Sequence, residues 1–317
     1  MGFCTWIVAA AVLAFLAVNQ IEASENEEGQ VLIYDPAFLN LIDKDAKLEK
    51  LADGFKFTEG PVWMREGYLV FSDIPANKAF KWCNTEGLSV YRDPSQFSNG
   101  MTLDKDGRLI VCEHGSRKLT RREADGTYTT LADRYDGKLL NSPNDAARFW
   151  DGSIYFTDPP YGISADAKEL DFHGVYRYRP GLGSLELLIK DFDMPNGLAF
   201  SPDFKTLYIN DSSSRVHMRK FEVSSNGKLS GGEVFATLKS DLPGLPDGLK
   251  TDKDGNVWTT GPMGIWVYAP DGTHLGTIRS PEVPANCAWG DPDGKSFYIT
   301  ATKGLYRIRT KVGGILP

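Results

Sequence analysis

Cysteine is scarce, with four in 317 residues. Cys4 lies in the apolar N-terminal stretch. The other three, Cys83, Cys112 and Cys287, form neither a CxxC pair nor a zinc-like Cys/His spacing. Three is odd, so at most one disulfide can form among them, and neither a disulfide framework nor a structural zinc site shapes this chain. Histidine is as rare, and its four residues share no joint spacing. Positive charge is in deficit, 35 Lys and Arg against 42 Asp and Glu, for a net charge of −7. That is the wrong sign for nucleic acid as a main partner. The GxSxG, HExxH, Walker and GxGxxG patterns are all missing. Their absence removes the serine-hydrolase, zincin and nucleotide-binding readings.

Long apolar runs are also lacking after the first 23 residues. Within them, Ile7 to Val18 is apolar and Ile21-Glu22-Ala23 precedes Ser24 like a small-residue cleavage site. The stretch is short for a membrane span, so residues 1–23 read as a secretory signal peptide. An uncleaved anchor is the alternative. The protein is accordingly expected to be secreted or periplasmic, with no membrane span after cleavage. Residues 24–46 read as a lead-in that begins acidic, and 47–317 as one domain.

Glycine and proline are plentiful, 32 and 18 residues, which suits many short strands joined by turns. Six segments share one plan, starting at Glu59, Asn99, Asn144, Asn196, Asp247 and Asn286. The starts are 40, 45, 52, 51 and 39 residues apart. Each segment opens on a carboxylate or carboxamide, passes through a short strand and a polar turn, and closes with a hydrophobic strand. A β-rich period of 40 to 50 residues predicts an all-β, six-bladed β-propeller with four-stranded antiparallel blades. Further strands pair around Asp125-Gly126 in blade two and Asp271-Gly272 in blade five. The last blade runs out of chain after its third strand. Residues 47–53, KLEKLAD, resemble an outermost strand and are expected to complete it, closing the ring and removing an open edge.

In such a wheel the first residue of each repeat lies at one level around the axis. Here that level carries Glu59, Asn99, Asn144, Asn196, Asp247 and Asn286. Asn and Asp before Gly are good turn residues, which accounts for any one of them. It accounts poorly for Glu59, or for two carboxylates and four amides sharing a narrow channel. Converging like charges call for a cation, and hard oxygen donors select calcium or magnesium. A roomy axial site favours Ca²⁺. The Asp252-Lys253-Asp254-Gly255-Asn256 segment lacks the Gly and Glu positions of an EF-hand and reads as a simple turn.

On these residues the sequence resembles the SMP-30/gluconolactonase/LRE-like family of six-bladed propellers. The resemblance is carried by EGPVW at 59–63, SPND at 142–145, PNGLAFSPD at 195–203 and PDGLKTDKDGNVW at 246–258. Residues 98–121 look like the gluconolactonase branch. The resemblance implies a lactone hydrolase that depends on Ca²⁺ or another divalent cation such as Zn²⁺, Mn²⁺ or Mg²⁺; related branches hydrolyse organophosphates. It places metal ligands at Glu59, Asn144, Asn196 and Asp247, with Asn144 touching metal or substrate.

The expected reaction is attack of water on a metal-polarised lactone carbonyl, with Asp247 as general base. A nucleophilic Asp247 is the rival mechanism. Asn144, Asn99 and His114 are expected to reach substrate, although a hydrogen-bonded loop histidine is an equal reading of His114. Tyr161, in the rigid turn 158–162, lies near the pocket on this reading. The sequon Asn210-Asp211-Ser212 ends an inner strand and is expected to be buried. A phosphotriesterase-like hydrolase and a non-catalytic calcium-binding propeller are the alternative functions. The partner is a small-molecule lactone, and the protein is expected to act as a monomer.

Overall fold

A computed structural model describes residues 30–316. The expected signal peptide and Cys4 lie outside the described residues. Six antiparallel sheets of at least four strands follow one another around an axis, and a two-stranded hairpin (Arg134–Tyr135 with Lys138–Leu139) sits between blades two and three. The six repeats supply the inner strands Thr58–Met64, Ser98–Leu103, Ala146–Arg148, Pro195–Phe200, Leu249–Thr251 and Pro284–Gly290. Each is followed by the hydrophobic strand that the sequence pattern places next, and each such pair is antiparallel.

Ring closure is as the sequence suggests. Glu49–Ala52 pairs with Gly304–Arg309 and forms the outer edge of the last blade. This gives the terminal strand a partner for its backbone groups and ties the two ends of the domain together. The lead-in contributes more than a tether. Val31–Ile33 adds a fifth strand to blade five by pairing with His274–Arg279. The short 3-10 helix Pro36–Asn40 then drops Phe38 and Ile42, both fully buried, among Trp258, Trp289 and Phe297 between blades five and six.

The cores lie between neighbouring blades, where alternate residues of two sheets face one another. Between blades six and one, Trp63 stacks on Tyr298 at a centroid distance of 5.6 Å, with Phe55, Leu69 and Phe71 behind them. Cys112 and Cys287 are buried in such layers, and they and the buried Cys83 are unpaired. Among the described residues, no helix is long and apolar enough to cross a membrane.

A recurring clamp sets where each inner strand begins. The second strand of blade one ends at Asp73, whose carboxylate accepts the backbone N–H of Lys56 (3.0 Å) and Phe57 (3.1 Å). Asp158 does the same for Asn141 (2.8 Å) and Ser142 (2.7 Å) in blade three. Asp211 does it for Asp193 (3.2 Å) and Met194 (3.1 Å) in blade four. In all three blades the clamped residues lie three and two positions before the first residue of the repeat. A strand-end carboxylate thereby fixes the approach of the chain to the axis. Asp252 is a different structural carboxylate, closing the blade-five turn by accepting from the amides of Asp254 and Asn256, the Asn256 side chain and Trp258 Nε1. Its four donors account for the turn without a metal.

Candidate active site at the hub

The six repeat-opening residues meet around the axis. Glu59, Asn99, Asn144, Asn196 and Asn286 are each at most 4% exposed, while Asp247 is half-buried and open to solvent on one side. Close approach of the inner strands brings them together. Gly197 donates to the Asp247 carbonyl (3.1 Å), and a Cβ at Gly197 would overlap that oxygen. Gly100 likewise donates to the Asn144 carbonyl (2.7 Å).

Asp247 is held by its backbone. Its carbonyl also accepts from Asn210 Nδ2 (2.7 Å), and its N–H donates to Thr260 Oγ1 (3.0 Å). Asn210, buried as expected, donates a second time to Thr259 Oγ1. Asn196 donates through Nδ2 to Ser212 Oγ (2.8 Å), which passes its own hydrogen to the Pro246 carbonyl. That bond leaves the Asn196 Oδ1 without a partner. Asn99 Nδ2 lies 3.2 Å from His114 Nε2. An amide N–H needs an acceptor there, which makes the imidazole neutral with its proton on Nδ1. Burial pushes the His114 pKa down to about 4, in keeping with a neutral ring. Gly162 packs against His114 and Ser142 so closely that a Cβ would overlap both. This seats the 158–162 turn on the hub wall and brings the Tyr161 hydroxyl beside Ser212 and Asn196.

The electrostatics are unfavourable without a cation. Burial first, then the Asp145 charge, raises the Glu59 pKa; burial, Glu59 and Asp145 raise that of Asp247. Burial also raises Asp145, against the opposing charge of Lys250. Three hub oxygens, Asn99 Oδ1, Asn196 Oδ1 and Asp247 Oδ1, are occluded and have no hydrogen-bond partner. Buried acceptors without donors are costly, and a polar group left so is normally met by an ion, water or ligand. Among the described residues, no three His, Cys, Asp or Glu side chains form a metal-binding group by themselves. Any ion here would draw on carboxamide oxygens as well as carboxylates. Glu59, Asn144, Asn196 and Asp247 fit that description, being all-oxygen donors suited to a hard divalent cation.

Sequence reasoning did not single out Asp145, Lys250 or Ser212. Asp145 had a visible signal: four of the six repeats carry Gly after the opening residue, and blade three carries Asp.

The fold and site together define a closed six-bladed propeller with a polar, carboxylate-bearing hub. The family described as SMP-30/Gluconolactonase/LRE-like region matches residues 57–303, and the chain belongs to that family. It is 35% identical to the gluconolactonase of Zymomonas mobilis subsp. mobilis, over 90% of this chain and 87% of the relative. Among solved structures it is similar to a gluconolactonase of Xanthomonas campestris, at 36% identity and a TM-score of 0.82, covering 88% of this chain and 94% of that one. A second solved structure, a putative gluconolactonase, superposes with a TM-score of 0.84 at 36% identity, over 90% and 100% of the two chains.

Proposed function

We propose that this protein is a divalent-metal-dependent lactonase that opens the ester of a sugar-type lactone such as gluconolactone. The observation that carries the reading is the convergence of unpartnered Asn196 Oδ1 and Asp247 Oδ1 beside the buried Glu59. The gluconolactonases of Zymomonas mobilis and Xanthomonas campestris support the substrate class.

Glu59, Asn144, Asn196 and Asp247 would hold the ion, with calcium the best match to the donor set. Bound there, a divalent cation supplies a Lewis acid that polarises the lactone carbonyl and offsets the charge developing on its oxygen. Asp247 supplies the base. Its backbone is fixed on three sides, and its Oδ1, occluded and without a partner, would face the ion, which leaves the second carboxylate oxygen for the proton. The carboxylate oxygen turned away from the ion takes a proton from water as the water oxygen attacks the carbonyl carbon. It returns that proton to the ring oxygen when the ester C–O bond breaks, so water and lactone give the hydroxy acid and Asp247 is regenerated. Glu59 acts as the electrostatic anchor. Asn99, held by His114 through its Nδ2, has an unpartnered amide oxygen that would accept from a sugar hydroxyl.

Hydrolysis of glucono-1,5-lactone should require the cation, stop on chelation and return with calcium. Turnover of a phosphotriester but no lactone would give the protein the other chemistry, and cation binding without any hydrolysis would make it a binding module. We further propose export through the N-terminal segment and action as a monomer. N-terminal sequencing of the secreted protein should begin at Ser24, and sedimentation should give a single-chain mass.

A further inference from the structure

Behind the opening residues of the repeats, the chain is packed tightly around the axis. Gly60, Gly100, Gly197 and Gly248 follow Glu59, Asn99, Asn196 and Asp247, and a Cβ at any of them would overlap an atom of the next blade. Blade six has Cys287 at this place, and blade three has Asp145.

The Asp145 carboxylate is 2% exposed and lies among hub groups from other blades. Its Oδ1 accepts from the Ala146 N–H at 2.8 Å, and its Oδ2 accepts from Asn286 Nδ2 at 3.2 Å. The same Asn286 nitrogen donates to Glu59 Oε2 at 2.9 Å. Asn286 Oδ1 accepts from the Cys287 N–H at 2.8 Å, which fixes which end of the amide is oxygen. One carboxamide thus bridges two buried carboxylates from blades one and three, one hydrogen to each. Lys250, on the inner strand of blade five, sets its charge against both acids.

We propose that Asp145 is a positioning residue: through the amide of Asn286 it fixes the orientation of the Glu59 carboxylate at the hub. The inference rests on the reading of the hub as a divalent-cation site. Residues that orient a ligand from behind are worth about 10–100-fold in metal affinity. A carboxylate is required, because both oxygens must accept. An asparagine at 145 has one oxygen and would turn an N–H toward either the Ala146 N–H or the Asn286 amide. Glycine at 145 copies four of the other five blades, so it removes the group while keeping a residue the packing accepts.

The test is calcium binding, read by titration calorimetry on the full chain, with melting in chelator as the control for the fold. Asp145→Asn and Asp145→Gly should each weaken calcium binding by about 10–100-fold, while Asp145→Gly melts in chelator close to the wild type. The double variant Asp145→Asn/Asn286→Ala should bind calcium no more weakly than Asn286→Ala alone, because one acts through the other. Wild-type affinity in both Asp145 variants overturns the proposal, as do independent, additive losses in the double variant. Loss of native near-ultraviolet circular dichroism in both Asp145 variants would make the residue structural and overturns it equally. A wild-type protein that binds no divalent cation defeats the reading of the hub itself, an outcome distinct from all of these.

Discussion

Asp158 and Asp247 both sit at the axial end of a blade, yet their surroundings are opposite. Asp158 has an N–H on each oxygen, from Ser142 and Asn141, and is wholly enclosed. Asp247 keeps an occluded Oδ1 with no donor, faces two other acids and opens to solvent on one side. A satisfied buried carboxylate holds the chain in place; an unsatisfied one among like charges is held in place by the chain. The two kinds are coupled, because the Asp73, Asp158 and Asp211 clamps deliver Glu59, Asn144 and Asn196 to the hub.

The sharpest way to break this comparison is to neutralise one member at a time. Asp247→Asn should reduce lactone turnover about 10³-fold, within the range for a lost general base. In chelator its melting temperature should stay level or rise, since like-charge repulsion is relieved. Steady-state kinetics beside a thermal melt checks both, and full activity would remove Asp247 from the base role. Asp158→Asn should do the reverse. Presenting an amide hydrogen to a backbone N–H leaves a buried donor unmet, at about 1–3 kcal/mol. Denaturant unfolding in chelator should reveal that loss.

A smaller effect tests whether backbone packing sets the hub. A Cβ at Gly248 would overlap the Asn286 side chain. Gly248→Ala should lower calcium affinity about 10-fold, or 1.4 kcal/mol, by displacing the amide that holds Glu59. Calorimetry reads this directly.

The last test concerns pH. His114 has its pKa lowered from 6.5 to about 4 by burial. Between those values the unfolded chain binds a proton that the folded chain does not. Its contribution to stability therefore falls as pH drops from 6.5 toward 4, by at most about 1.4 kcal/mol per pH unit, and is constant above 6.5. Unfolding at pH 5 and pH 7 should show a larger acid loss for the wild type than for His114→Gln. Equal losses would mean that the imidazole is already charged at pH 5.

Much of this was legible in the chain because a propeller repeats its register. Equivalent residues come to one level, so the ring of six and the closing strand 49–52 can be read before any coordinates. His114 was read as reaching substrate or as a hydrogen-bonded loop residue, and its ring meets Asn99. The fifth strand of blade five was not legible, since Val31–Ile33 is three residues long and its partner is more than 240 positions away. Nor were the clamps, because strand-end aspartates look alike whether or not their oxygens are used.

Sequence alone determined the number of blades, the way the ring closes and the chemical kind of each hub side chain, because periodicity and residue type are local properties. Tertiary structure alone decided which carboxylates are satisfied and which are not, which amide joins Glu59 to Asp145 across 86 positions of chain, and which end of that amide meets them. Those outcomes depend on hydrogen bonds between blades, and such bonds exist only after the wheel has closed.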